Sequence, residues 1–170
     1  IKRRSYAEKR IFTAERKFEP RPETTKLIVD GYNVIFAWDF LAELAQRDLD
    51  HARDKLIDIL KNYAAYTKTE VTAVFDGYRV PSNAGSEATD DGVTVIYTPQ
   101  GQTADACMEK LMHGLGPDHP LRVVTSDKLV QFAAIHSGVF RLSAREFLEA
   151  IKRIDAEITA FIKKLEKETR

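Results

Sequence analysis

Cysteine is all but absent from this 170-residue chain: Cys107 stands alone, which excludes an intrachain disulfide and a cysteine-rich zinc site. Long apolar runs are missing too. No stretch approaches the ~20 residues of a membrane helix, and none has the form of a secretory h-region. A Gly-rich P-loop, a dinucleotide fingerprint and a G-x-S-x-G elbow are likewise absent. His51, His113, His119 and His136 show no metal-ligand spacing. No Met opens the chain, so Ile1-Lys-Arg-Arg4 reads as the start of a segment excised from a larger parent. These gaps make a cytoplasmic setting the default and leave carboxylates as the main chemical resource.

Net charge is absent only in sum. Residues 1–22 carry eight Lys/Arg against three Glu, residues 151–170 carry six against four acids, and the middle is left at −7. An acidic body with basic ends can meet a polyanion through those ends, although solvated helices would look the same.

What is present is a set of short apolar runs alternating with helical patterns. Leu27, Ile28 and Val29 lack polar alternation, as in a strand buried on both faces of a parallel sheet. Further strands are expected at Glu70–Phe75, Val93–Tyr97, Leu121–Thr125 and Val139–Leu142. Residues 3–18 are compatible with a charged helix stopped by Pro20 and Pro22, so 1–24 forms a basic helix and linker. Val34 to Ala45 reads as an irregular apolar segment followed by a short helix. Asp48 is placed to cap a helix over 49–66, and Thr103 one running to about Leu115. Another helix is expected from Lys128 to Ser137. Ser143 and Glu146 form a capping box for the last helix, whose stripe runs from Phe147 through Ile151, Ile154, Ile158, Phe161 and Ile162 to Leu165. Residues 77–92 read as a long mobile loop. The body spans 25–150, and 151–170 extends the final helix. Such alternation implies an α/β fold with a mostly parallel five-stranded sheet in the order 3-2-1-4-5.

That order brings together the carboxyl ends of strands one and four, where open α/β sheets bind ligands. Asp30 and Asp127 lie at those ends, Asp105 begins a helix, and Asp76 follows strand two. Four carboxylates on one edge would repel unless a cation joined them. Mg²⁺ or Mn²⁺ held by Asp30, Asp105 and Asp127, with Asp76 as a further ligand, is therefore expected, and hydrolysis of a phosphodiester is the matching chemistry. Asn33 is suited to orient a ligand water or a phosphate. Each residue has a plainer role available: Asp-Gly at 30–31 and 76–77 as turns, Asp105 near a helix dipole, and Asp127 or Ser126 as a cap. An aspartyl-phosphate mechanism would need a second Asp where Tyr32 stands. Tyr32, Phe36, Trp38 and Tyr78 flank the cleft as base-stacking or core residues, and Arg79 is suited to a phosphate contact.

The motifs Val29-Asp-Gly-Tyr-Asn-Val34, Phe75-Asp-Gly77, Gln102-Thr-Ala-Asp105, Val124-Thr-Ser-Asp127 and Arg141-Leu-Ser-Ala-Arg-Glu146 occur in that order. As a set, over about residues 25–150, they resemble the NYN-type, YacP-like branch of the PIN-like ribonucleases. The resemblance implies a PIN-like three-layer sandwich and metal-dependent cleavage of single-stranded RNA. It places acidic site residues at Asp30, Asp105 and Asp127, with Asp76 in the matching Phe-Asp-Gly stretch; Ser126, next to Asp127, is expected beside the substrate. It also implies action on ribosome-associated messenger RNA in some members, and fusion to an elongation-factor-like GTPase in others. A non-catalytic RNA- or ribosome-binding module on the same fold is the alternative.

Overall fold

The structure, a computed structural model, describes residues 25–79, 85–114 and 120–169, with the side chain of Arg79 left out. The expected N-terminal helix and linker lie outside the described residues. The chain enters through β1 (Lys26–Asp30) and turns at once into α1 (Gly31–Ala37), followed by α2 (Asp39–Arg47) and α3 (Leu49–Thr67). Next come β2 (Glu70–Phe75), a single 3₁₀ turn (Gly77–Arg79), β3 (Ser86–Asp90) and β4 (Val93–Tyr97). The remainder is α4 (Ala104–Gly114), β5 (Leu121–Val124), α5 (Lys128–His136), β6 (Phe140–Leu142) and α6 (Ala144–Glu168).

The sheet order is β3-β4-β2-β1-β5-β6. All pairs are parallel except β3 with β4. The five expected strands thus hold their expected order, and the finding corrects the count to six. The sixth, β3, sits inside the stretch read as a mobile loop. Its residues Ser86-Glu-Ala-Thr-Asp90 are all exposed, so no apolar alternation marks them. What makes the strand is the two-residue Asp91-Gly92 turn, with φ of 49° and 78°. Two positive φ values in succession are the hairpin geometry that Asp-Gly favours.

Two packed faces sandwich the sheet. On one, α1, α2, α3 and α6 cover Leu27, Val29, Val71, Ala73 and Phe75. On the other, α4 and α5 cover Ile28, Val74 and Val123. The short helix expected before Ala45 is α2, while the part expected to be irregular is itself helical, as α1; the two break at Trp38, whose φ of −91° and ψ of 117° are extended. Trp38 is buried, and its indole Nε1 donates to Ala144 O (2.7 Å), tying the break to the start of α6. That distant bond supplies the ordering which local sequence lacks. On α3, Ala52, Leu56, Leu60 and Tyr63 are buried. The stripe of α6 outruns its support: Phe147 and Ile151 are buried, whereas Phe161, Ile162 and Leu165 are exposed among the described residues.

Gly31 permits the sharp exit from β1. A Cβ there would overlap the ring of Phe75, which is itself fully buried and unable to retreat. Gly31→Ala should therefore lower stability by about 1–3 kcal/mol, read as a shifted urea midpoint at unchanged m-value.

Candidate active site

Because β1 lies between β2 and β5, its last residue is central. Asp30 pairs in register with Val74, and Val29 with Val124, so Asp76 and Asp127 lie just past the ends of the flanking strands. Asp30 is buried, at 8% exposure. Its Oδ2 accepts from Thr125 Oγ1 (2.9 Å), and Thr125 Oγ1 in turn accepts from Asp127 N (3.1 Å). The single hydroxyl proton of Thr125 is thereby aimed at Asp30. Thr125 is fully buried, and no sequence motif had singled it out as a site residue.

Burial raises the Asp30 carboxyl to about 6. The Thr125 bond opposes that rise, Asp105 adds to it, the nearby Asn33 main-chain N–H opposes it, and Asp127 adds to it. Asp105 is raised as well, first by burial, then by Asp127, Glu109 and Asp76. Asp30 thus feels Asp105 and Asp127, and Asp105 feels Asp127 and Asp76. Glu109, one turn along α4 from Asp105, joins them; helical i,i+4 spacing was the available signal.

Their other contacts differ. Asp127 caps α5, its Oδ1 accepting from Leu129 N (2.8 Å), while Thr103 Oγ1 accepts from Ala106 N at the head of α4 (3.1 Å). Asp76 Oδ1 accepts from Tyr78 N (3.2 Å), a turn-forming bond. Asn33 Oδ1 accepts from Ser126 N (2.8 Å), so this amide braces the rim of the site. Ser126 is exposed, and its Oγ accepts from Ala144 N (3.2 Å). Among the described residues, no three or more His, Cys, Asp or Glu side chains form a group that could hold a metal ion. The donor set is nevertheless all oxygen, and Mg²⁺ commonly takes only one or two carboxylates while keeping its waters. A pair drawn from Asp30, Asp105 and Asp127 suits it.

The aromatic residues divide. Tyr32 is a core residue at 8% exposure, edge-on to Phe75 (5.1 Å between centroids), with its hydroxyl accepting from Arg53 Nη1 (3.0 Å). Trp38 is buried too. Of the two roles the sequence left open, these positions are the core one for both rings, and Tyr32, expected beside the substrate, is packed inside instead. Phe36 (48%) and Tyr78 (67%) are the exposed members.

A raised carboxyl carries a stability signature. In the unfolded chain Asp30 ionises near 3.8, but in the folded protein near 6. The stability it contributes is complete below the lower value and lost as pH rises through the upper one. Asp30→Asn removes this dependence. In EDTA, its stability relative to the unsubstituted protein should rise by on the order of 2–3 kcal/mol between pH 4 and pH 8, measured by urea unfolding at each pH.

Comparison with known proteins places this geometry. The profile of the YacP-like NYN domain family matches residues 27–170. A Bacillus subtilis (strain 168) protein named YacP is 37% identical over 143 residues, 84% of either chain. Crystal structures of Rae1 (YacP) from Bacillus subtilis superpose well. A point-mutant form gives a TM-score of 0.75 at 36% identity, over 85% of this chain and 86% of that one. A second structure gives 0.74 at 36%, over 86% and 84%. These matches lend no support to a GTPase fusion. No helix among the described residues is long and apolar enough to cross a membrane. With the motifs in sequence order, the sheet in the expected order and the profile covering nearly the whole described chain, the protein belongs to the YacP-like NYN domain family of ribonucleases.

Proposed function

We propose that this protein is a cytoplasmic, divalent-metal-dependent endoribonuclease that hydrolyses single-stranded RNA, with ribosome-associated messenger RNA as its sharper substrate class. The observation that carries the reading is the carboxyl of Asp30, raised to about 6 at a sheet edge shared with Asp105 and Asp127. Like charges crowded beside a buried carboxylate are what a cation relieves, and Asp30, Asp105 and Asp127 are the residues that would hold Mg²⁺ or Mn²⁺, with Asp76 as a further ligand or a brace. Such a cation, when bound, polarises a phosphoryl oxygen and favours hydroxide over water at neutral pH.

The remaining work belongs to the chain. Thr125 keeps Asp30 from rotating by holding Oδ2, and the α5 amide of Leu129 does the same for Asp127. Asn33 secures the Ser126 main chain. Because Ser126 Oγ already accepts from Ala144 N, its own proton is available to a non-bridging phosphate oxygen. Phe36 and Tyr78 present rings on which unpaired bases can stack. In-line attack of water on the phosphorus, with the P–O3′ bond breaking and the departing 3′-oxygen taking up a proton, leaves a 3′-hydroxyl upstream and a 5′-phosphate on the downstream product. A binding module of the same fold would share the aromatic and polar rim without needing the ionised carboxylates.

The test incubates labelled single-stranded RNA with purified protein and Mg²⁺ or Mn²⁺. Cleavage should appear, stop with EDTA, decline at acid pH as Asp30 takes up its proton and releases the cation, and be abolished in Asp30→Asn while RNA binding persists. A folded protein that binds this RNA yet cleaves it with neither cation would establish the binding module instead.

A further inference from the structure

The loop after β5 is tied down on every side. Beyond the Asn33 and Ala144 bonds to Ser126, Gln131 Nε2 on α5 donates to Thr125 O (2.8 Å). With its amide nitrogen committed inward, Gln131 turns its oxygen the other way, and Oε1 accepts from Arg141 Nη1 (3.3 Å). A relay of contacts thus runs from Asp30 through Thr125 and Gln131 to a guanidinium on the edge strand β6. Arg141 is exposed and keeps four more N–H donors in its planar fork.

Strand alternation gives the side. Leu142 packs into the core beneath α1, α3 and α6, so Arg141 stands on the opposite face with α5. Two more cations border the same loop. Lys128 follows Asp127 in the first turn of α5, and Arg145 follows Ala144 in the first turn of α6. Both are exposed, and none of the three makes an ion pair among the described residues. The other flank is mixed, with Glu87 on β3 and Glu109 beside Lys110 on α4, beyond Asp76. A polyanion meets the stronger attraction on the β6–α6 side of the carboxylates.

We propose that Arg141, positioned by Gln131, binds a backbone phosphate next to the scissile one, so that the RNA strand crosses the β6–α6 rim rather than the β3–α4 side. Lys128 and Arg145 flank this contact. The inference rests on the RNA-cleaving reading and adds the strand's path to it. A guanidinium whose orientation is set by one amide oxygen offers its remaining edge to two phosphate oxygens, which an ammonium cannot match.

The experiment measures binding of a fluorescein-labelled single-stranded RNA in EDTA across salt concentrations, together with KM in Mn²⁺. Arg141→Ala should weaken binding about tenfold and flatten the log–log salt slope by about 0.7, one phosphate contact on a single strand, with most of the catalytic loss in KM. Arg141→Lys should restore the slope but not the full affinity. Gln131→Ala should weaken binding at an unchanged slope, because the charge remains. Lys152→Gln, on the outer surface of α6, removes equal charge elsewhere and should alter neither quantity. If the unsubstituted protein cleaves RNA while Arg141→Ala binds with its affinity and slope, the proposed path is overturned and the nuclease reading stands. If the unsubstituted protein neither binds nor cleaves, both are overturned.

Discussion

The structure depends on a carboxylate placed where water cannot fully reach it. Asp30 closes a strand flanked by β2 and β5, and the Thr125 hydroxyl is the one side-chain donor recorded on it among the described residues. Desolvation alone would favour the neutral acid, and the neighbouring Asp105 and Asp127 favour it further. A site of this kind is destabilised by its own charge and is stabilised when a cation enters. The surrounding frame answers that tension: the Thr125 hydroxyl, the Leu129 amide and the Asn33 side chain each hold one part of the rim in place.

The frame comes from the sheet's connectivity. Placing β1 between β2 and β5 makes three strand ends adjacent, while α1 departs directly from Asp30 because Gly31 can lie against Phe75. The start of α6 is pinned to the same region twice, by Trp38 on its carbonyl and by Ser126 on its amide. Core and site therefore share supports. Tyr32 illustrates this from the core side, two residues from Asp30 yet packed on Phe75 and bonded to Arg53.

Much of this was legible in the amino-acid sequence because its signals are local. Unalternating Leu27-Ile-Val29 marks a strand covered on both faces, and Ser143 with Glu146 forms the expected capping box. The acidic residues were legible because each sits at a strand end or in a first helical turn, positions that topology alone brings together. The features that escaped depend on partners distant in sequence. β3 has no buried residue, and only its Asp91-Gly92 turn announces a hairpin. Thr125 matters through a bond to a residue 95 positions away, and Gln131 through the orientation of one amide. Tyr32 and Phe36 sit one turn apart on the same side of a short helix, their ring centroids 6.3 Å apart, yet the first is packed on Phe75 in the core and the second reaches the surface.

The central claim is that Asp30 is a cation ligand held out of its ordinary ionisation range by burial and by like charges. Its carboxyl can be followed directly by carbon-detected NMR in protein labelled at Asp, with Asp30→Asn to assign the signal. The account predicts a midpoint near pH 6 in EDTA that falls by about a unit or more when Mg²⁺ is added, since a bound cation favours the ionised form. A midpoint near 3.8 in EDTA that Mg²⁺ leaves unmoved would contradict it.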